Sequence, residues 1–401
     1  MKVAIVGGKL QGVEASFLAC SSGWEVVLID RDPNVPAKGL SDYFILCDVV
    51  KDFLKLCQAI KEVDMIIPAL ENVIALKSLQ RCAAATNAPL AYDDEAHFIT
   101  RSKKRSNRFF EKMGIPIPQP WPQCGLPVIV KPSTSSGSQG VGKLCTEKEL
   151  SSFLKHINTA SSRWVIQEYL EGPSYSLEVL GLEDHYEALQ ITELEMDDQY
   201  DCKRVLAPAN LSDSLERRFK ELTLTIAKAL RLKGIMDVEV IQHQGNLKVL
   251  EIDARLPSQT PTAVLKSTGV NMLVLLRDIF VRKSLPAIAD TEPTRGVIYE
   301  HIRFSESGLE VLGEHLMADA GPLKTVNNFF GADVALTNFN GSRFPWVATL
   351  IVTEEDREAA WLKRCQVIDN IAHHLESVPY SQGTRRANRS YPFDVIHVPM
   401  E

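Results

Sequence analysis

The sequence predicts an α/β unit of Rossmann type followed by a larger α+β region, and three observations predict it. Apolar strands alternate with helical periods through the first 90 residues, a Ser/Gly loop separates two short strands at residues 128–146, and a hairpin at residues 234–255 puts acids on one face and apolar residues on the other. The 401 residues, 45% hydrophobic and 24% charged, can bury more than one core, so two or three domains are expected. A formal net charge of -7 without a strongly basic tract argues against nucleic acid as the main partner. Eight scattered cysteines with no C-x-x-C pair point to reduced thiols and no structural zinc. With no signal peptide and no 18-residue apolar run, a cytoplasmic protein without a membrane partner is expected.

The opening unit reads "KVAIVGG", "VEASFLACSS", "EVVLIDRD", "YFILCDVV", "KDFLKLCQAIKEV", "DMIIPAL" and a helix from Asn72. This is the order of a doubly wound parallel sheet. Its first turn, "GGKLQG", has Gly7, Gly12 and Asp30 placed as in a dinucleotide fingerprint. Lys9, however, stands where bare backbone must approach a pyrophosphate, so a structural unit without NAD is the reading adopted.

After "NAPLAYDDEA" comes the basic amphipathic helix "TRSKKRSNRFFEKM", ended by Gly114. Residues 128–146, "VIVKPSTSSGSQGVGKLCT", come close to G-x-x-x-x-G-K, with Leu144 where a Ser or Thr would hold magnesium. The capping box Thr146-Glu-Lys-Glu149 delays the helix start, so residues 141–145 read as a strand. The segment is therefore strand, Ser/Gly loop, strand: a flap over phosphates, with Lys131 on its leading strand and Ser138 in its loop. The next strand, "RWVIQEYLEG", carries Glu168, Tyr169 and Leu170 before a turn.

In "GIMDVEVIQHQGNLKVLEIDAR" a turn centred on Gly245 sets Val238 opposite Ile252, Val240 opposite Leu250, Glu239 opposite Glu251 and Asp237 opposite Asp253. Opposed like charges are unfavourable unless a cation neutralises them, and an all-oxygen set favours magnesium.

A Rossmann-type unit, a flap with a leading lysine, a hinge strand and Glu251-Ile-Asp253-Ala-Arg255 at the end of a hairpin resemble the ATP-grasp superfamily over residues 1–290. That resemblance implies an α/β and α+β architecture with a Rossmann-like domain over 1–90, a small subdomain with the flap over 91–180, and a large subdomain with a C-terminal extension over 181–401. It implies that Lys104, Lys131 and Ser138 contact the phosphates of ATP, Glu168 to Leu170 the adenine edge, and Glu239, Glu251 and Asp253 two magnesium ions. Asp253 replaces the usual Asn, and Ser174 stands where many relatives carry a ribose-binding carboxylate.

The opening "MKVAIVGGKLQG" and "EIDARLPSQTPTAVLKSTG" extend the likeness to the amino-acid ligases of pyrrolysine biosynthesis. That likeness implies a 3-methylornithine-like carboxylate and lysine as substrates, joined through an acyl phosphate, with Arg255 and Lys131 stabilising the transferred phosphoryl group. At the strand ends Gln11, Gly12 and Asn72 are expected beside lysine, while Arg31 and Val49 form a separate crevice. Glu178 and Asp237 are expected to hold ammonium groups, and Arg255 and Ser258 carboxylate or phosphoryl oxygens. Three other readings stay open: a carboxylase or carbamoyl-transfer enzyme, an NAD-dependent amino-acid dehydrogenase, and a nucleotide-binding regulator.

Overall fold

The computed structural model describes residues 1–135, 137–157, 163–288, 294–306, 308–341 and 345–377. Parallel strands β1 (Lys2–Val6), β2 (Glu25–Asp30), β3 (Tyr43–Leu46) and β4 (Met65–Pro68) stand in the order β3-β2-β1-β4, connected through α1 (Leu10–Ser21), α2 (Phe53–Ile60) and α3 (Val73–Thr86). From Val3 to Val6 β1 is apolar, because both its faces are covered there. Val3 and Ile5 pack toward α1, whereas Ala4 and Val6 pack with Leu56, Ile60 and Leu79 of α2 and α3. The strand order reverses between β1 and β4, so the loops after these two strands diverge and leave a crevice.

α4 (Asp94–Thr100) and α5 (Lys103–Met113) lead into the small sheet β6-β5-β7, formed by β5 (Val128–Pro132), β6 (Gly142–Leu144) and β7 (Trp164–Glu168), with α6 (Glu147–His156) between β6 and β7. The capping box at Thr146 is present, and β6 ends before it, as expected of a flap rather than a P-loop. The basic helix expected from Thr100 is divided at Arg101 and Ser102, and Gly114 closes it with a φ of 67°.

The third layer is a ten-stranded antiparallel sheet. It contains β8 (Ser174–Leu182), β9 (His185–Met196), β10 (Cys202–Ala207), β11 (Gly234–His243), β12 (Asn246–Asp253), β13 (Gly296–Ser305), β14 (Gly308–Val311), β15 (Lys324–Phe329), β16 (Ala332–Thr337) and β17 (Trp346–Glu354). α7 (Asp213–Leu230), α8 (Thr260–Thr268), α9 (Met272–Arg277), α10 (His315–Ala318) and α11 (Arg357–Ser377) complete the chain order. The boundary expected at residue 180 falls inside β8, which belongs to this sheet. Residues 378–401 of the expected last domain lie outside the described residues. One core also joins the layers: Ile5 and Leu18 of the parallel unit share it with Val264, Leu273 and Val297.

The thiol expectation needs correction. Cys57 of α2 and Cys82 of α3 are paired as a disulfide, with Cα atoms 5.5 Å apart, because the two helices pack side by side over the sheet. Among the described residues no helix is long and apolar enough to cross a membrane.

Candidate active site

The acidic hairpin turns on Gln244 and Gly245, whose φ angles of 49° and 75° are those of a two-residue type I′ turn. Near the turn, therefore, Val240 faces Val249 rather than Leu250. A β-bulge then takes in Leu250 as an extra residue and restores the expected register, with Glu239 opposite Glu251 and Asp237 opposite Asp253. The bulged Leu250 carbonyl accepts a hydrogen bond from Lys131 Nζ at 3.2 Å. On its other side β11 pairs with β8, which adds Glu178 beside Asp237 and Ser176 beside Glu239.

Burial dominates the electrostatics of this cluster. It raises Glu239 to about 7, with repulsion from Glu251 adding to the effect, and lifts Asp237 well above the usual carboxylate range, with Asp253 adding. Burial raises Asp253 to about 6, with the Arg255 charge offsetting part of the rise. Among the described residues no three acids, histidines or cysteines already converge as a metal site. Protein cations hold the acids instead: Lys103 Nζ lies 2.6 Å from Glu251 Oε1, and Arg255 Nε lies 2.7 Å from Asp253 Oδ2. The donor set still fits a hard divalent ion, since it is all oxygen and Asp237 Oδ1 and Asp253 Oδ1 are buried without hydrogen-bond partners.

Beside the hairpin lies a cavity of about 170 Å³, apolar at Ile129, Leu170 and Ile241 and charged at Lys103, Lys131 and Glu239. Lys131 is buried, which lowers its pKa. Lys103, not Lys104, is the second lysine of this cavity. Its ammonium also donates to Ser135 O at 2.6 Å, whereas Lys104 does not line the cavity. Helical phase is the reason: Lys103, Ser106 and Phe110 share the buried face of α5. Ser138 lines the cavity and donates to Tyr200 O. At the hinge, the Glu168 N–H is bonded to Gln119 O (2.8 Å) and the Tyr169 N–H to Pro127 O (3.1 Å), while the Glu168 carboxylate pairs with Lys248. Those two amides and that side chain are therefore engaged within the fold.

A larger cavity, of about 610 Å³, runs from the crevice between β1 and β4 to Arg255, Ser258 and Glu314. Gln11 lines it, with Nε2 buried and unpartnered. Asn72 lines it too, but its Oδ1 caps α3 by accepting from Ile74 N and Ala75 N, both at 3.0 Å. Only the amide nitrogen of Asn72 is left for a ligand. Gly12 does not line the cavity; a Cβ there would come within 2.1 Å of Gly7 O, so this glycine serves helix–turn packing. Arg31 and Val49 belong to this same cavity rather than to a separate crevice. The Asp30 carboxylate accepts from Gly8 N (2.7 Å) and Asp32 N (2.9 Å), so it braces its own turn.

Arg255 connects the two regions, with Nη2 2.9 Å from Glu71 Oε1 and Nε beside Asp253. Ser258, Gln259 and Thr260 make a γ-turn in which Thr260 N–H donates to Ser258 O (3.0 Å) around a strained Gln259 with φ 75° and ψ -60°. Glu14, from α1, is fully buried against this turn and accepts from Thr262 N at 2.5 Å, and burial raises it to about 7. Glu314 is half-buried with Oε2 buried and unpartnered; burial raises its pKa, and Gln259 and Ser258 offset part of that rise. Glu178 has no exposed surface and lies behind Asp237, so it cannot touch a substrate ammonium directly; burial raises it to about 7.

The ATP-grasp domain family matches residues 100–259, the span that holds both lysines, the flap, the hinge and the hairpin. The chain is 34% identical to the 3-methyl-D-ornithine–L-lysine ligase of Methanosarcina barkeri, over 94% of this chain and 99% of the relative. This chain belongs to that ligase family. The Methanosarcina acetivorans ligase is 35% identical over 90% of this chain and 95% of its own length. A solved ADP complex of N5-carboxyaminoimidazole ribonucleotide synthetase superposes with a TM-score of 0.69 at 16% identity, covering 94% of this chain and 98% of that one, a likeness of fold. As an ATP-grasp member the chain is a nucleotide-binding, carbon–nitrogen bond-forming ligase.

For a ligase, the structure gathers Lys131, Ser138, Glu239, Glu251, Asp253, Arg255 and Ser258 around the 170 Å³ cavity and a polar one of about 130 Å³ beside it, the acidic centre. Lys103 could have been chosen by helical phase. Glu14, Glu71 and Glu314 carried no such signal, because their partners lie far away in sequence.

Proposed function

We propose that this ligase joins the carboxylate of a 3-methyl-D-ornithine-like amino acid to the side-chain amine of L-lysine, converting ATP to ADP and orthophosphate. The observation that carries the reading is the shared boundary of the large cavity and the acidic centre: Arg255, Ser258 and Glu314 line both. A carboxylate oxygen attacks the γ-phosphorus, the bond to the β-phosphate oxygen breaks, and an acyl phosphate forms. The neutral lysine amine then attacks the acyl carbon, orthophosphate leaves and the nitrogen gives up a proton. Lys103 and Lys131 hold the polyphosphate, and Arg255 orients the attacking carboxylate through its fork. Glu314, raised by burial, is placed to take the proton the amine loses. Glu239, Glu251 and Asp253 would hold magnesium, which neutralises phosphate charge when bound. Gln11 and the Asn72 amide face lysine across the crevice, and the flap keeps water from the acyl phosphate.

ADP release measured with 3-methyl-D-ornithine and lysine, singly and together, tests the reading. Release that requires both, with the amide detected by mass spectrometry, is expected. Release that requires bicarbonate and neither amino acid would replace ligation with carboxylation.

A further inference from the structure

Beside the acidic centre lies a third cavity of about 220 Å³, lined by Arg101, Arg105, His97, Thr134 and Ser135; it reaches Lys103, Glu251 and Asp253, and meets the large cavity at Glu71. Each acid on its walls already has a cation: Glu71 and Asp253 have Arg255, and Glu251 has Lys103. The two arginines differ. Both guanidiniums stand over the Phe98 ring, at 5.3 and 3.9 Å, and among the described residues neither pairs with an acid. Their nearness is unfavourable in itself: burial first, then the charge of Arg101, lowers the pKa of Arg105. His97 is 3% exposed, and neither ring nitrogen has a hydrogen-bond partner. Two like charges without a counter-ion, a buried imidazole without a partner and the Thr134 hydroxyl around one partly open cavity describe an incomplete anion site.

We propose that this cavity binds a tetrahedral oxyanion, and that the anion it takes during turnover is the orthophosphate released from the acyl phosphate. The first part stands on the geometry; the second rests on the ligase reading. Orthophosphate is set free beside Glu251 and Asp253, which border this cavity as well, so the ion has a short path into it. The guanidiniums of Arg101 and Arg105, the latter with Nη1 already donating to Phe98 O at 2.7 Å, offer the opposite field and remaining N–H groups that phosphate oxygens match. At roughly 30 Å³ per water, the volume admits the ion with bridging waters. The basic helix of the sequence thereby acquires a use that ATP contacts alone do not give it.

Calorimetric titration of the full-length protein with inorganic phosphate, in the presence of ADP, tests the site without turnover. Two variants are compared with the wild type: Arg101→Gln/Arg105→Gln, and Val73→Asp, which adds an acid to the cavity wall at the first position of α3, where helices favour one. Weakening of phosphate binding by about tenfold or more in both, with the melting temperature and the KM for ATP unchanged, is expected. Equal affinity in wild type and variants, or displacement of phosphate by a non-hydrolysable ATP analogue, would overturn the site, even if amide formation proceeds. A fluorescent phosphate sensor separates the sources of the ion: release that lags amide formation in the wild type and loses its lag in the variants supports product orthophosphate. Weakened titration without amide formation would leave a site for solution phosphate and overturn the product assignment.

Discussion

At the scale of single residues, the two lysines at the start of α5 give a direct test, since they are adjacent in sequence and opposite in environment. Lys103 is buried against Glu251 and the flap carbonyl of Ser135; Lys104 lies off the cavity. Lys103→Met should lower kcat/KM for ATP by about 100-fold or more, the scale seen when a preorganised charge is removed, whereas Lys104→Met should leave it within about threefold. Steady-state kinetics of both variants checks this, and equal losses would return Lys104 to the site. Glu251→Gln removes a hairpin ligand while keeping its shape. Turnover should fall by about two orders of magnitude or more, with a folded protein by circular dichroism, and near-normal turnover would sink the magnesium assignment.

Among the elements, the one that joins the layers most directly is α8. Its amino end carries the Ser258–Thr260 turn into the reaction centre, and the acid that accepts its Thr262 N–H comes from α1 of the parallel unit. Losing an acceptor from a helix start costs about 1–2 kcal/mol, and here the loss also frees a strained turn. Glu14→Ala should lower the melting temperature by several degrees and raise the KM for the amino acids, while the KM for ATP stays within about twofold because its cavity is elsewhere. A uniform change in all three constants would make Glu14 a packing residue only. Gly12→Ala acts on the same helix through sterics. With a Cβ 2.1 Å from Gly7 O, the start of α1 must shift, at about 1–3 kcal/mol or more, and thermal denaturation reads the loss.

Taken over the whole molecule, buried acids set how stability depends on pH. Glu14, Glu178 and Glu239 all sit at about 7 in the folded state, above the ordinary 4.5, so between those values the folded chain binds more protons than the unfolded one. Their stabilising contribution is complete below about pH 4.5 and is lost as pH rises through 7, up to roughly 3 kcal/mol per group. Glu300 works in the other direction: burial alone would raise it, but Arg364 and Arg204 outweigh burial and hold it low, so its contribution is lost only under more acidic conditions. Metal-free protein in a chelator should therefore melt at lower temperature at pH 8 than at pH 5.5. Magnesium should reduce that drop by binding the ionised hairpin acids. Melting curves across pH, with and without magnesium, decide this; a metal-independent slope would remove the hairpin from the account.

Much of this architecture is written locally. Alternation over residues 2–90 gave the parallel unit, Thr146 and Glu149 fixed where α6 begins, and the acids at 237, 239, 251 and 253 declared their shared face, since such patterns depend only on neighbours a few positions apart. The sequence alone also separated the flap from a P-loop, because Leu144 cannot hold magnesium. What folding decided was every match between distant segments. Glu14 meets Thr262 across 248 positions, Arg255 reaches Glu71, Glu314 arrives from a region without a motif, and Cys57 meets Cys82 because α2 lies on α3. The bulge at Leu250 was equally hidden, for it depends on the competition between a two-residue turn and the pairing of the acids beyond it. Local pattern states which face of an element is buried. Only tertiary packing determines which charge is brought against that face, because burial and proximity, not residue type, set the energy of a charge.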